Sequence, residues 1–268
     1  MRLLRLGAAA ALLTGLALGG ASPARAAGSS DVSVLHGIPG LTVDVYAGDT
    51  KLLSDFKPGD LAGPVKLAEG TYDLKVFPAG QGPSGTPAVQ ATGVRVPAGA
   101  NLTVAAHLGA DGKPVLTPFV NDVGKVAPGK ARLVVRHVAA APAVDVRAGG
   151  QPVFRDLVNP KEAKADVPAG TVSADVVLAG TGTVAIGPAD VTLAEGTSTI
   201  VYAWGSAQDK SLKLAVQTIK GLHSAPAGVP SGTGGLLDDG LPGWVVAATL
   251  AALAAAVVSR RRLVAARG

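Results

Sequence analysis

Apolar and polar residues alternate in short runs through the middle of this 268-residue chain. Val32, Val34 and His36 alternate with Ser33 and Leu35, Val43 and Val45 flank Asp44, and Tyr72, Leu74 and Val76 alternate with Asp73, Lys75 and Phe77. A period of two over such short runs predicts half-buried strands, because successive side chains of a strand point to opposite faces. One turn signal recurs four times: Leu67-Ala68-Glu69-Gly70, Val96-Pro97-Ala98-Gly99, Val167-Pro168-Ala169-Gly170 and Leu193-Ala194-Glu195-Gly196. Pro or Ala suits the second position of a type I turn and Gly the fourth, so all four are expected to share that turn. A strand is predicted after each, over 71–77, 101–108, 171–178 and 197–204. No helical period interrupts the pattern.

The pattern is also written twice. The stretch 34–48 returns as 135–149, and both His36 to His137 and Asp44 to Asp145 are 101 positions apart. The offset drifts to 100 at Gly70/Gly170 and 97 at Gly99/Gly196, as short loop deletions would produce. A repeat of that length predicts tandem domains, here residues 31–122 and 131–220. The fold class expected is all-β, two tandem β-sandwiches of immunoglobulin-like or transthyretin-like kind. The connection through Asp122 to Gly129 is short, which predicts a semi-rigid, end-to-end rod.

The two ends read differently. Arg2 and Arg5 precede an apolar run over 6–18, and Ala24-Arg25-Ala26 supplies small residues where a signal peptidase reads. Residues 1–26 are therefore expected to be a secretory signal peptide, cleaved between Ala26 and Ala27. Residues 221–243, rich in Gly, Pro, Ser and Ala, read as a flexible stalk. Residues 244–258 carry no charge and are followed by a basic tail, 259–268, with Arg260, Arg261 and Arg262. At about 1.5 Å per residue the uncharged run spans about 22 Å as a helix, short of a ~30 Å hydrocarbon core. Trp244 at the outer interface and snorkelling arginines at the inner one make up the difference. The expected topology is a single-pass membrane protein with its ectodomain outside. The tail resembles a Gram-positive cell-wall sorting signal, but Leu241-Pro242-Gly243-Trp244-Val245 lacks the Thr-Gly that a sortase cleaves between. Membrane retention is expected over covalent attachment to the wall.

Composition narrows the chemistry. The chain is 48% hydrophobic but only 3% aromatic, so Val, Leu, Ala and Ile must fill the cores, and it has no cysteine to staple them. The net charge of +5 misleads. Arg2, Arg5, Arg25, Arg260, Arg261, Arg262 and Arg267 lie at the ends, leaving a middle with slightly more acidic than basic residues. No basic stripe for nucleic acid is present there. The four histidines, His36, His107, His137 and His223, show no close metal-ligand spacing. His36 and His137 occupy equivalent strand ends. Each either caps a core and hydrogen-bonds a loop carbonyl, or serves a ligand or metal with a partner such as Asp44 or Asp145. Trp204 stands where the other repeat has His107, so any role it has belongs to one repeat. Arg132, Arg136 and Arg147 predict a mildly positive side on the second repeat, suited to an anionic wall polymer. About half of the eight aromatics in this region are expected in cores. No Gly-x-Ser-x-Gly, dinucleotide loop or clustered titratable set is present, so no catalytic residue, cofactor or metal site is assigned and no enzyme is expected.

The signal peptide, the paired repeats bearing His-x-x-x-x-x-x-Val-Asp-Val-x-Ala-Gly, the recurring glycine turns and the basic-ended tail together resemble a known family. It is that of exported bacterial, notably actinobacterial, proteins carrying domain of unknown function 4397 (DUF4397), over about 32–219. The resemblance implies an extracytoplasmic β-sandwich and carries no accepted activity or site residue. The function expected is a non-enzymatic cell-surface protein for binding or adhesion, held in the membrane by its C-terminal helix, with a wall polymer or surface protein as partner. A structural spacer and an envelope enzyme accessory are the alternatives.

Overall fold

The computed structural model describes residues 28–224. The expected signal peptide with its Ala26/Ala27 cleavage site, the stalk from residue 225 onward, the membrane helix and Arg260 to Arg262 lie outside the described residues. Within them are sixteen strands and no helix, hence none long and apolar enough to cross a membrane.

The first eight strands are β1(Ser29–Gly37), β2(Val43–Ala47), β3(Thr50–Phe56), β4(Leu61–Ala68), β5(Gly70–Pro78), β6(Val89–Val96), β7(Asn101–Leu108) and β8(Pro114–Val120). They form two sheets, β4-β1-β7-β8 and β3-β2-β5-β6. The last eight are β9(Lys130–Ala140), β10(Val144–Ala148), β11(Gln151–Leu157), β12(Glu162–Pro168), β13(Gly170–Leu178), β14(Val184–Leu193), β15(Ser198–Ser206) and β16(Lys213–Ile219). Their sheets, β12-β9-β15-β16 and β11-β10-β13-β14, repeat the same order. All pairings are antiparallel except β1 with β7 and β9 with β15. The immunoglobulin arrangement, with strands ABED on one sheet and CFG on the other, does not match this order. The runs predicted over 71–77, 101–108 and 171–178 lie within β5, β7 and β13, and that over 197–204 falls on β15.

Each half buries apolar side chains between its two sheets. Val34, Val43, Val45, Phe56 and Val76 do so in the first, and Leu133, Val135, Val144, Val146 and Val176 in the second. Half-buried strands, however, are not what β1, β7, β9 and β15 become: they are buried along nearly their whole length on both faces. The reason is a third core. Leu35, Ala105 and Phe119 pack against Val134, Val138, Ile200, Tyr202 and Trp204, so sheet β4-β1-β7-β8 lies face to face on sheet β12-β9-β15-β16. The expected end-to-end rod is therefore replaced by two sandwiches stacked side by side through a buried seam. Glycine permits the closeness: a Cβ on Gly59, where φ is +90°, would lie 2.8 Å from the Trp204 ring.

Both halves point the same way. Thr103, near the start of β7, bonds Gln217, near the end of β16, while at the other end Asn159 Nδ2 donates to Leu108 O. The connecting segment folds back onto the second half: Val126 N–H donates to Leu222 O at 2.7 Å, and Val126 O accepts from Ser224 N–H at 3.1 Å. Gly28 and Ser224 thus lie at one end of the stack, and the loops following β1, β3, β5 and β7, with their counterparts, lie at the other.

The four glycine turns split into two kinds, which corrects the expectation of one. Gly99 and Gly196, at φ 64° and 63°, sit in the left-handed region within two-residue turns. Gly70 and Gly170, at 159° and 149°, instead open β5 and β13 at corners where the chain passes between sheets.

Because the seam is a buried apolar core, residues 28–224 should unfold in a single transition. Ala105→Arg, which forces an unpaired charge into the seam while sparing both inner cores, should cost about 3–5 kcal/mol and split that transition in two. Calorimetry with denaturant titration reads both outcomes.

Candidate functional site

His36 and His137 end their strands facing the inner cores, because the alternation that places Val34 and Val135 inward places them inward too. His36 Nε2 donates to Leu41 O at 2.6 Å and its ring stacks on Phe56. His137 Nε2 donates to Pro142 O at 3.0 Å and its Nδ1 receives the Ala139 N–H at 3.4 Å. His107 faces the seam, where its Nδ1 meets Leu108 O at 2.9 Å and its Nε2 meets the Thr117 hydroxyl at 2.8 Å. Because its Nδ1 accepts an N–H, the His137 ring is neutral. Burial pushes all three pKa values down, outweighing the loop carbonyls that favour the charged form, and the nearby His137 lowers His107 further.

The candidate partners Asp44 and Asp145 are not brought to the histidines. They alternate to the outer face of their sheets, where Asp44 Oδ1 accepts Asp55 N–H at 3.1 Å and Asp145 Oδ1 accepts Asp156 N–H at 2.9 Å. Asp55 and Asp156 have φ of 51° and 53°, opposite register shifts in β2 and β10. The Val-Asp-Val motif thus satisfies the amide that a bulge leaves unpaired. The hydrogen bond from Lys51 holds the Asp44 carboxyl below its ordinary range. Among the described residues no three His, Asp or Glu side chains cluster as a metal site would require.

Arg132, Arg136 and Arg147 do not form the expected positive side of the second half, because each of these guanidiniums is committed. Arg132 pairs with Asp122 and Asp166, both at 2.8 Å, and Arg147 grips Asp175 with two 2.6 Å bonds. Arg136 is only 1% exposed. Its Nε donates to Glu162 at 2.8 Å, its Nη1 to the Tyr202 hydroxyl at 2.8 Å, and its plane lies 4.4 Å from the Phe119 ring of the other half. Period-two reading misassigned it because β9 has no solvent face. From Tyr202 the hydrogen bonds continue to Gln217 Oε1 at 2.6 Å, which also accepts from Thr103 at 3.0 Å. Asn121 Nδ2 then donates to Thr103 and to Asn101 Oδ1. The only available signal for this chain was the polar spacing Asn101, Thr103 in an otherwise apolar strand.

Trp204 is buried at 4% exposure, with Lys213 Nζ over its ring and no acceptor for its Nε1. Of the eight aromatics, six are buried and Tyr72 and Phe154 partly so, which leaves no exposed aromatic platform among the described residues.

Two cavities matter. A small apolar one, about 30 Å³, lies inside the second half, where Val172 and Ala174 take the register positions of Tyr72 and Leu74. The Arg147–Asp175 pair lies at its wall. A larger cleft, about 370 Å³, opens along the seam between β4 and β16 and is lined by Ser33, Asn101, Gln217 and Lys220 together with Leu61, Pro64 and Ile219.

Residues 30–147 match the family model described as a domain of unknown function, DUF4397. That segment runs from β1 through β10 and stops well short of 219, where the resemblance was expected to end. No curated protein matches the chain. Among solved structures, a "putative cell adhesion protein" from Bacteroides ovatus aligns over 75% of this chain and 100% of its own, at 10% identity and a TM-score of 0.22. A likeness that slight carries no argument.

The three neutral histidines make stability pH-dependent. Their folded pKa values lie below the unfolded value of about 6.5, so below that pH the unfolded chain binds more protons than the folded one. Stability is full above about pH 6.5 and falls on acidification through that value. The carboxylates with lowered pKa, Asp44, Asp122 and Asp175, lose their contribution only at lower pH. The melting temperature should be flat from pH 7 to 8 and drop between pH 6.5 and 5. A His107→Gln/His137→Gln chain should show a shallower drop.

Proposed function

We propose that this chain, which carries a DUF4397 domain, is an exported, membrane-anchored surface protein whose two sandwiches act as one rigid binding body. The two repeats, residues 31–122 and 131–220, are on this reading a single unit rather than independently swinging modules. The observation that carries it is the parallel stacking across the seam. It brings Gly28 and Ser224, where the export and anchor sequences continue, to one end of the body, and frees the opposite loops and the long sides to meet a wall polymer or a surface protein. The apolar run with its Arg260 to Arg262 stop and the Ala26/Ala27 cleavage signal supply the location. The polar groups described above hold backbone, bulges and seam in place, so the body suits binding better than turnover.

Intact cells bearing the full-length chain should lose residues 28–224 to an added protease, while a chain lacking 244–268 should appear in the medium. The detergent-solubilised full-length chain should be retained saturably on washed cell-wall polysaccharide, with retention surviving a rise in salt. Absence of retention on polysaccharide, peptidoglycan and membrane-protein fractions alike would favour the spacer reading instead.

A further inference from the structure

The polar chain through the seam has a direction, and its direction leaves donors over. Tyr202 and Thr103 both donate to Gln217 Oε1, and Asn121 donates to Asn101 Oδ1. Both amide acceptors are used, whereas Gln217 Nε2 and Asn101 Nδ2 have no partner among the described residues. The Ser33 hydroxyl has none either. Gln217 is 7% and Ser33 2% exposed, yet none of these three atoms is among the polar atoms sealed from solvent. The little surface they keep therefore opens into the cleft they line. Unpartnered donors on side chains this buried cost free energy unless something accepts from them.

The rest of the cleft narrows what that is. Lys220 stands on its lining with no ion pair among the described residues. Asp31, the register partner of Asn101, is already held by Lys66 at 2.7 Å. The cleft thus offers amide, hydroxyl and ammonium donors against an aliphatic wall of Leu61, Pro64 and Ile219. Its 370 Å³ falls in the range of small-molecule sites.

We propose that this seam cleft binds an acidic saccharide, its carboxylate at Lys220, its hydroxyl and ring oxygens accepting from Ser33, Asn101 and Gln217, and the ring's C–H face against Pro64 and Ile219. The proposal rests on the binding reading above and names the site and ligand class for it. Because the cleft needs β4 of one half and β16 of the other, neither half alone contains it.

Saturation-transfer NMR on the detergent-solubilised full-length chain, with glucuronic acid, glucose and acetate as probes, tests it. Saturation of glucuronic acid well above that of glucose or acetate is expected. Ser33→Ala should weaken glucuronic acid binding by about threefold to tenfold, the loss of one hydrogen bond. Lys220→Glu, at an exposed position where folding is not at stake, should abolish it with an unchanged melting temperature. No transfer to glucuronic acid, or equal transfer in wild type and Lys220→Glu, would overturn the cleft, and acetate matching glucuronic acid would overturn the saccharide class. Retention of the Lys220→Glu chain on wall polysaccharide equal to wild type would remove the cleft and leave surface binding intact. Glucuronic acid binding without any retention would do the reverse.

Discussion

A guanidinium taken out of water costs several kcal/mol unless a counter-charge, hydrogen bonds and ring contacts offset it. Arg136 meets that condition only because two halves of the chain surround it. Its own half supplies the Glu162 carboxylate and the Tyr202 hydroxyl, and the other half supplies the Phe119 ring. Take the first sandwich away and the cation faces water across an apolar sheet. The stacking of the halves, the polar chain from Tyr202 to Asn101 and the cleft at its end all follow from satisfying groups that neither sandwich could satisfy alone.

Most of the strand plan was legible because it rests on local rules. Alternation located β1, β2 and β5, and glycine spacing located the strands that follow each turn. What failed was everything that depends on the far side of a sheet. Leu35 and Arg136 occupy equivalent positions on β1 and β9, and a period-two reading sends both to solvent. Both point into the seam instead, since nothing in a strand's own residues says whether its second face will be covered. The mistaken positive side has the same origin: Arg132, Arg136 and Arg147 find carboxylates 26 to 34 positions away in the sequence, or on the connecting segment, through cross-strand register.

The candidate site was legible in part. His36 and His137 could be read as strand-end residues near loop carbonyls, and the carbonyls are there. The role of Asp44 and Asp145 could not be read, because it depends on a bulge eleven residues on whose aspartate has positive φ. Nor could Ser33 and Gln217 be told from ordinary strand polar residues, since their interest lies in which atoms a folded network leaves unused.

The two faces of the seam occupy equivalent repeat positions but are not alike. Where the first half presents Ala105, Thr103 and His107, register places Tyr202, Ile200 and Trp204 in the second, and Leu35 answers to Arg136. One face is a socket and the other a plug. Two first-half faces brought together would leave voids, and two second-half faces would crowd their aromatics and set two buried cations against each other. The duplicated unit has in this way lost the ability to pair with its own kind, so the seam closes on one first half and one second half and never on two alike.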